Sequence, residues 1–411
     1  MRALLLSLIA TLGLAAPSLA QVRYADIPLE ADQPAAAVAL VERQARTGGE
    51  VGAFDHQQVH DLWQALAEND ALRLRLLNAL ASLGFAPDDP LDDEDQFWED
   101  QARLLAQTGA PPASVLAALK RLVGVDELLG ASLSPRFAAA RRLDEAWFEP
   151  RAIVMRALER ADRLAVKQTY RLALVIRRAD LYERLGRPAD ALALIDAALV
   201  RAQASPQTFT DLDDSLASLR AERSYVLWQL GRFDEALAED RGLVKAVRDD
   251  DGYKGWADNL LLGHLTAAGR AQEALKVLDY FVYASNGDLG DWVAARSVCV
   301  NVQLGKRIAA RRDLKELKDD TAPARTYALL CLGDLDAAAA SYRARLADPD
   351  TAPWAIQSLS ARVRPKALGA WDAVIVDRQA EVAARSDVQA ALVAAGGARR
   401  SPLTPSGGEI W

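Results

Sequence analysis

Three histidines, two cysteines and two acidic runs are the residues of this 411-residue chain whose types and spacing invite chemistry. Asp55-His56-Gln57-Gln58-Val59-His60-Asp61 sets two imidazoles one helical turn apart, flanked by carboxylates. With a third ligand arriving from elsewhere, that spacing can hold zinc. The same stretch carries Val59, Leu62, Trp63 and Leu66 as an apolar stripe, and His56 and His60 border it. Two ligands fall short of a zinc site, which favours edge residues packed beside a core. No metal and no other cofactor is therefore expected.

The acidic run Asp88-Asp89-Pro90-Leu91-Asp92-Asp93-Glu94-Asp95 lacks the alternating carboxylates and central glycine of an EF-hand loop. It suits instead a solvated loop before a helix N-terminus, where negative charge meets the helix dipole. Asp249-Asp250-Asp251-Gly252 takes the same reading. The chain has no Gly-x-Ser-x-Gly, no phosphate-cradling or dinucleotide glycine loop and no His-Glu-x-x-His. A non-catalytic protein is the expectation, although an Asp or Glu general base would leave no such motif.

The elements around these residues are helical. The chain is 51% apolar and 26% charged, with 24 Gly, 17 Pro, 40 Arg and 9 Lys. Alanine-rich stretches outnumber alternating Val, Ile and Thr, and the apolar content is too high for a disordered chain. A net charge of −8 argues against nucleic acid or an anionic lipid surface as the partner. Residues 1–20 have the form of a secretory leader: Arg2, an apolar run from Ala3 to Ala16, Pro17, then Ser18-Leu19-Ala20. Cleavage after Ala20 would release a periplasmic chain, and no later stretch is apolar enough for stable membrane insertion.

A turn then recurs five times, at Leu185-Gly186-Arg187, Leu230-Gly231-Arg232, Ala268-Gly269-Arg270, Leu304-Gly305-Lys306 and Leu332-Gly333-Asp334. The glycines are 45, 38, 36 and 28 residues apart, and an alanine follows each by five: Ala191, Ala236, Ala274, Ala310 and Ala338. Helical-period apolar runs flank every turn. The spacing predicts a helix, a tight left-handed glycine turn and an antiparallel helix brought close by the small alanine. Each such pair has an apolar face that only a neighbouring pair can cover, so the pairs must stack.

These residues resemble the tetratricopeptide repeat family, most closely at Ala179–Ala198, at Ser224–Leu243 and around Gly269 to Leu275. The fourth and fifth pairs are degenerate, with Val298 and Thr326 at the small-residue position seven before the glycine. The resemblance covers about 167–347 and implies an all-α, right-handed solenoid of antiparallel helix pairs. Around it the expected organisation is a leader (1–20), an irregular helical N-terminal region (21–166), a C-terminal helical cap (348–395) and a disordered tail (396–411).

In stacked pairs the first helices line the concave surface. The face at 13, 10, 6, 3 and 2 residues before each glycine should point into that groove. It carries Asp180, Glu183 and Arg184, then Tyr225, Trp228 and Gln229, then Trp256 and Asn259, Trp292 and Gln303, and Tyr327 and Leu330. Of these, Arg184, Tyr225, Trp228, Trp256, Asn259, Trp292, Gln303 and Tyr327 are the candidate partner-binding residues. Rigid aromatic area with amides suits an extended protein or peptide segment in the bacterial envelope, and equally the sugar rings of a polysaccharide. The opposing expectation is that these rings are core between pairs. Cys299 and Cys331 fall on neighbouring first helices, six and two residues before their glycines. An axis spacing of ~8–10 Å and that offset put their Cα atoms beyond the ~7 Å disulfide limit, so buried free thiols are favoured.

Overall fold

The computed structural model describes residues 34–48, 56–85, 95–281, 288–317, 323–360, 363, 365, 367–398 and 403–404. The leader at 1–20, the acidic run at 88–94 and most of the tail lie outside the described residues. The fold is an all-α solenoid type built from adjacent helix pairs, with no strand among the described residues. It forms two compact units, 1–97 and 98–411, and the division falls within α4.

The first unit contains α1 (Pro34–Thr47), α2 (His56–Ala65) and α3 (Asp70–Leu83), followed by the start of α4 (Asp95–Gln107). Val38, Val41, Val59, Leu62, Leu66, Leu76 and Leu80 form its core. Asn69 caps α3 by accepting from the Leu72 amide at 3.0 Å, which satisfies one of the free N–H groups at a helix start.

The second unit continues through α5 (Pro112–Leu119), α6 (Val125–Leu133), the short α7 (Ala138–Arg141) and α8 (Pro150–Lys167). Five pairs follow: α9 (Leu172–Arg184) with α10 (Pro188–Ala204), α11 (Leu212–Gln229) with α12 (Phe233–Ala246), α13 (Asp251–Ala267) with α14 (Ala271–Phe281), α15 (Asp288–Gln303) with α16 (Arg307–Leu314), and α17 (Pro323–Leu332) with α18 (Leu335–Ala347). The five turn glycines all have φ between 72° and 76°, where a Cβ would be strained. All five following alanines are completely buried.

The first helices pack on one another in succession, α9 on α11, α13 on α15 and α15 on α17, whereas each second helix packs on its own partner and on the next first helix. Crowded first helices and separated second helices make the first-helix side the concave one. The connection at 205–211 adds a cap: Asp211 accepts from the Leu172 and Ala173 amides at 2.8 and 2.9 Å, tying the start of α9 to the second pair.

Three features add to the sequence expectation or correct it. The C-terminal helices pack on α18 and also turn back. After α19 (Ala352–Leu359), the chain returns along the row of turns through α20 (Ala370–Ala383) and ends its helices with α21 (Ser386–Ala394). A Cβ added to Gly231 would meet Ala367, one on Gly269 would meet Ala370, and one on Gly333 would meet Arg378. Arg378 donates to the Leu330 and Cys331 carbonyls at 2.7 Å, satisfying the open end of α17. The tail is not wholly disordered: Leu403 and Thr404 are buried, and the Thr404 amide donates to the Arg184 carbonyl at 3.0 Å. A strap thus crosses the C-terminal ends of the first helices.

The second is closure. α6 packs on both α8 and α19, so the two ends of the row of pairs meet through it. Ion pairs from Arg184 to Asp126 at 2.7 Å and from Arg136 to Asp350 at 2.6 Å reinforce the junction. The third is Cys299–Cys331, which form a disulfide with Cα atoms 5.1 Å apart. The free-thiol expectation assumed an ordinary helix separation. α15 and α17 instead meet through Ala295, Ala324, Ala328 and the cysteines themselves, all small and buried, so the backbones approach more closely.

Candidate functional site

The eight expected groove residues do not share one environment. Trp228 is 2% exposed and Tyr327 is 4% exposed, so both are core residues, not partner-binding ones. The Trp228 ring stacks on His264 at 4.3 Å and 9°, and its Nε1 donates to Asp372 Oδ2 at 3.3 Å. Burial raises the Asp372 carboxyl to about 6. The side chain that anchors α20 to the second pair is therefore the one expected to face a partner. Below it, His264 Nδ1 is 2.7 Å from Asp240, which also accepts from Ser224 Oγ at 2.5 Å.

Arg184 is a tie between elements. Its Nη1 is 2.7 Å from Asp126 and its Nε is 2.9 Å from Asp180. Burial works against its charge, but these two carboxylates outweigh burial and hold the guanidinium more firmly protonated than usual. Gln303 donates to the Thr266 carbonyl at 3.0 Å, bridging the third and fourth pairs.

Six of the eight are partly open; besides the two ties, Arg184 and Gln303, these are Tyr225, Trp256, Asn259 and Trp292 on the first-helix face. Trp256 lies edge-on to Tyr253 at 6.0 Å, and Trp292 is tilted against Tyr327 at 5.9 Å. Both tryptophans stand thirteen residues before their turn glycines, in equivalent places on adjacent pairs. The same wall holds Arg296, whose Nη1 donates to both the carbonyl and the side-chain oxygen of Asn259. Arg296 stands nine residues before Gly305, outside the offsets assigned to the groove, and so is absent from the expected set.

Two carboxyls lie between the first two pairs: Glu183, which the offsets placed on the groove face, and Glu222, nine residues before Gly231 and so outside them. Glu183 is completely buried and Glu222 nearly so. Gln229 donates to Glu183 at 2.5 Å. Burial, then the charge of Glu222, pushes the Glu183 carboxyl well up; burial, then the charge of Asp180, raises Glu222 to about 8. A proton is shared where two like charges cannot both ionise. Glu183 is closed off from solvent, and the pair lies in the contact between α9 and α11.

The pair makes stability fall as pH rises. A carboxyl whose folded value lies above its unfolded value binds its proton more tightly when native. Its contribution is whole below the unfolded value near 4.5 and is lost as pH climbs through about 8. Wild type should lose on the order of 2–3 kcal/mol more than Glu222→Gln between pH 5 and pH 8.5 in urea unfolding. Parallel pH profiles would mean that Glu222 is not protonated in the native state.

His56 and His60 behave as edge residues. His56 stacks on Phe85 at 4.4 Å, while the His60 ring nitrogens lie 3.3 Å from the Gln96 amide and 3.5 Å from the Gln64 amide. Among the described residues, no three His, Cys, Asp or Glu side chains are grouped to hold a metal ion. No helix of the described residues is long and apolar enough to cross a membrane. Asp250 follows the helix-start expectation, accepting from the Tyr253 amide at 3.3 Å. No family model matches this chain, and no curated protein matches it either.

Proposed function

We propose that this protein is an exported, non-catalytic adaptor of tetratricopeptide type that holds a segment of an envelope protein against its concave face. The observation that carries this reading is the row of partly open Tyr225, Trp256, Asn259 and Trp292 on successive first helices. Rings held by two torsions offer contact area at low entropic cost, and amides bond an extended backbone. The Cys299–Cys331 pair supports an oxidising compartment, in keeping with the leader at 1–20 and periplasmic release. The equivalent placement of Trp256 and Trp292 also suits stacking on sugar rings, which makes polysaccharide the second reading.

The test is affinity capture by residues 21–411 from an envelope extract, run beside the Trp256→Ala/Trp292→Ala double variant. Both rings are partly exposed, so the variant should stay folded at a cost of ~1–2 kcal/mol per site, below the range for buried tryptophan. One protein retained by wild type and lost from the folded variant is the expected result. Equal retention by both would end the groove reading, and glycan retained instead of protein would favour the second.

A further inference from the structure

The concave wall of the second unit contains a cation that no acid of the described residues neutralises. Arg296 is surrounded on all sides by protein, and burial pulls its guanidinium below the ordinary arginine range. It is nevertheless partly accessible, and it lies against α13 on the first-helix side. Its hydrogen bonds among the described residues all leave through Nη1, toward Asn259. Nε and Nη2 have no protein acceptor among those residues. Such an arginine is conspicuous in a chain with 57 Asp and Glu. Arg184, Arg220 and Arg223, on the first helices of the first two pairs, are all ion-paired.

The surroundings are shaped to keep that edge in place. The guanidinium lies face-down on Gly263: a Cβ there would stand 3.0, 3.1 and 3.3 Å from Nη2, Cζ and Nε. Trp292 flanks it, with the ring centroid 5.8 Å from Cζ. Tyr225 lies within its electrostatic reach, and its hydroxyl has no partner among the described residues. Burial raises that phenol to about 12, so it is a hydrogen-bond donor at neutral pH. By helix position, Arg296 sits one turn nearer the strap than Trp292, about 6 Å along the axis.

We infer that the Nε–Nη2 edge of Arg296, with the Tyr225 hydroxyl, is a binding site for the carboxylate of a small organic acid whose apolar body lies against Trp292. Two parallel N–H donors match the two oxygens of a carboxylate, and an unpaired buried cation is stabilised most by the anion it lacks. The inference goes beyond the adaptor reading and does not require a macromolecular partner.

The test titrates phenylacetate, acetate, phenylacetamide and inorganic phosphate into the full mature chain by calorimetry. Phenylacetate should bind saturably, at least tenfold more tightly than phenylacetamide, acetate or phosphate. Arg296→Gln should lose at least tenfold, and Arg296→Lys should recover part of that loss. Gly263→Ala keeps the charge but displaces the guanidinium, so it should weaken binding several-fold even where Arg296→Gln fails to fold. Equal binding of acid and amide, preference for acetate or phosphate, or unchanged affinity in folded Gly263→Ala would overturn the inference. So would the absence of any saturable heat with phenylacetate up to about 10 mM. Because the titration uses purified protein alone, either result leaves the capture experiment with Trp256 and Trp292 standing separately.

Discussion

Replacing Trp228 with alanine is expected to lower the unfolding free energy by ~3–5 kcal/mol, the range for deleting a large aromatic from a packed interior. The ring is 2% exposed and is held between His264 at 4.3 Å and Phe233 at 4.6 Å. Its loss would also leave Asp372 buried without its indole donor, which adds a desolvation cost to the cavity. Trp228→Phe should cost less, since it keeps most of the ring and removes only the N–H. Equilibrium urea unfolding gives the ranking directly. The loss should be at least twice that of Trp256→Ala; equal losses would contradict the division of the tryptophans into core and wall.

The second large effect concerns the disulfide. Cys299 and Cys331 are separated by 32 residues, a loop whose closure restricts the unfolded chain by ~3–4 kcal/mol in the chain-entropy account. The Cys299→Ser/Cys331→Ser variant should lose about that much, and reductant should bring wild type to the same midpoint without altering the variant. A reductant-insensitive wild type would show that the thiols are not paired in solution. The bridged helices α15 and α17 belong to the fourth and fifth pairs, whose repeat pattern is the most degenerate.

What was legible in the sequence was local. Five glycines and five alanines at fixed offset define the turns and the tight helix contacts, because left-handed backbone and close approach each demand one residue type. Within the irregular N-terminal region, Pro135 opens and Asp144 caps short turns on either side of α7. α6 was not anticipated, since nine residues containing Gly130 and Ser132 carry little helical signal, yet it is the helix that joins the two ends of the repeat row.

The site was legible only in part. A fixed set of offsets found Tyr225, Trp256, Asn259 and Trp292, but it could not tell wall from core. Trp228 and Tyr327 obey the same offsets and are buried because α20 returns over them. That return is encoded by small residues at Ala367, Gly369 and Ala370, which fit against the turns and have no periodicity to detect. A Cβ on Gly369 would stand 2.5 Å from the Ala267 carbonyl oxygen. Arg296 is one of 40 arginines in the sequence, with nothing in its spacing to single it out; only the packing of α13 against α15 shows it lying on Gly263.

The most direct test of the adaptor reading is site-specific photo-crosslinking in the native envelope. A photoreactive residue placed at Trp256 or Trp292 would probe the concave wall. Placed at Val200 or Ile308, which are 67% and 90% exposed on second helices, it would probe the opposite side. The account predicts one discrete crosslinked protein from both wall positions and none from the other two. The same adduct from all four positions, or none from the wall, would contradict it.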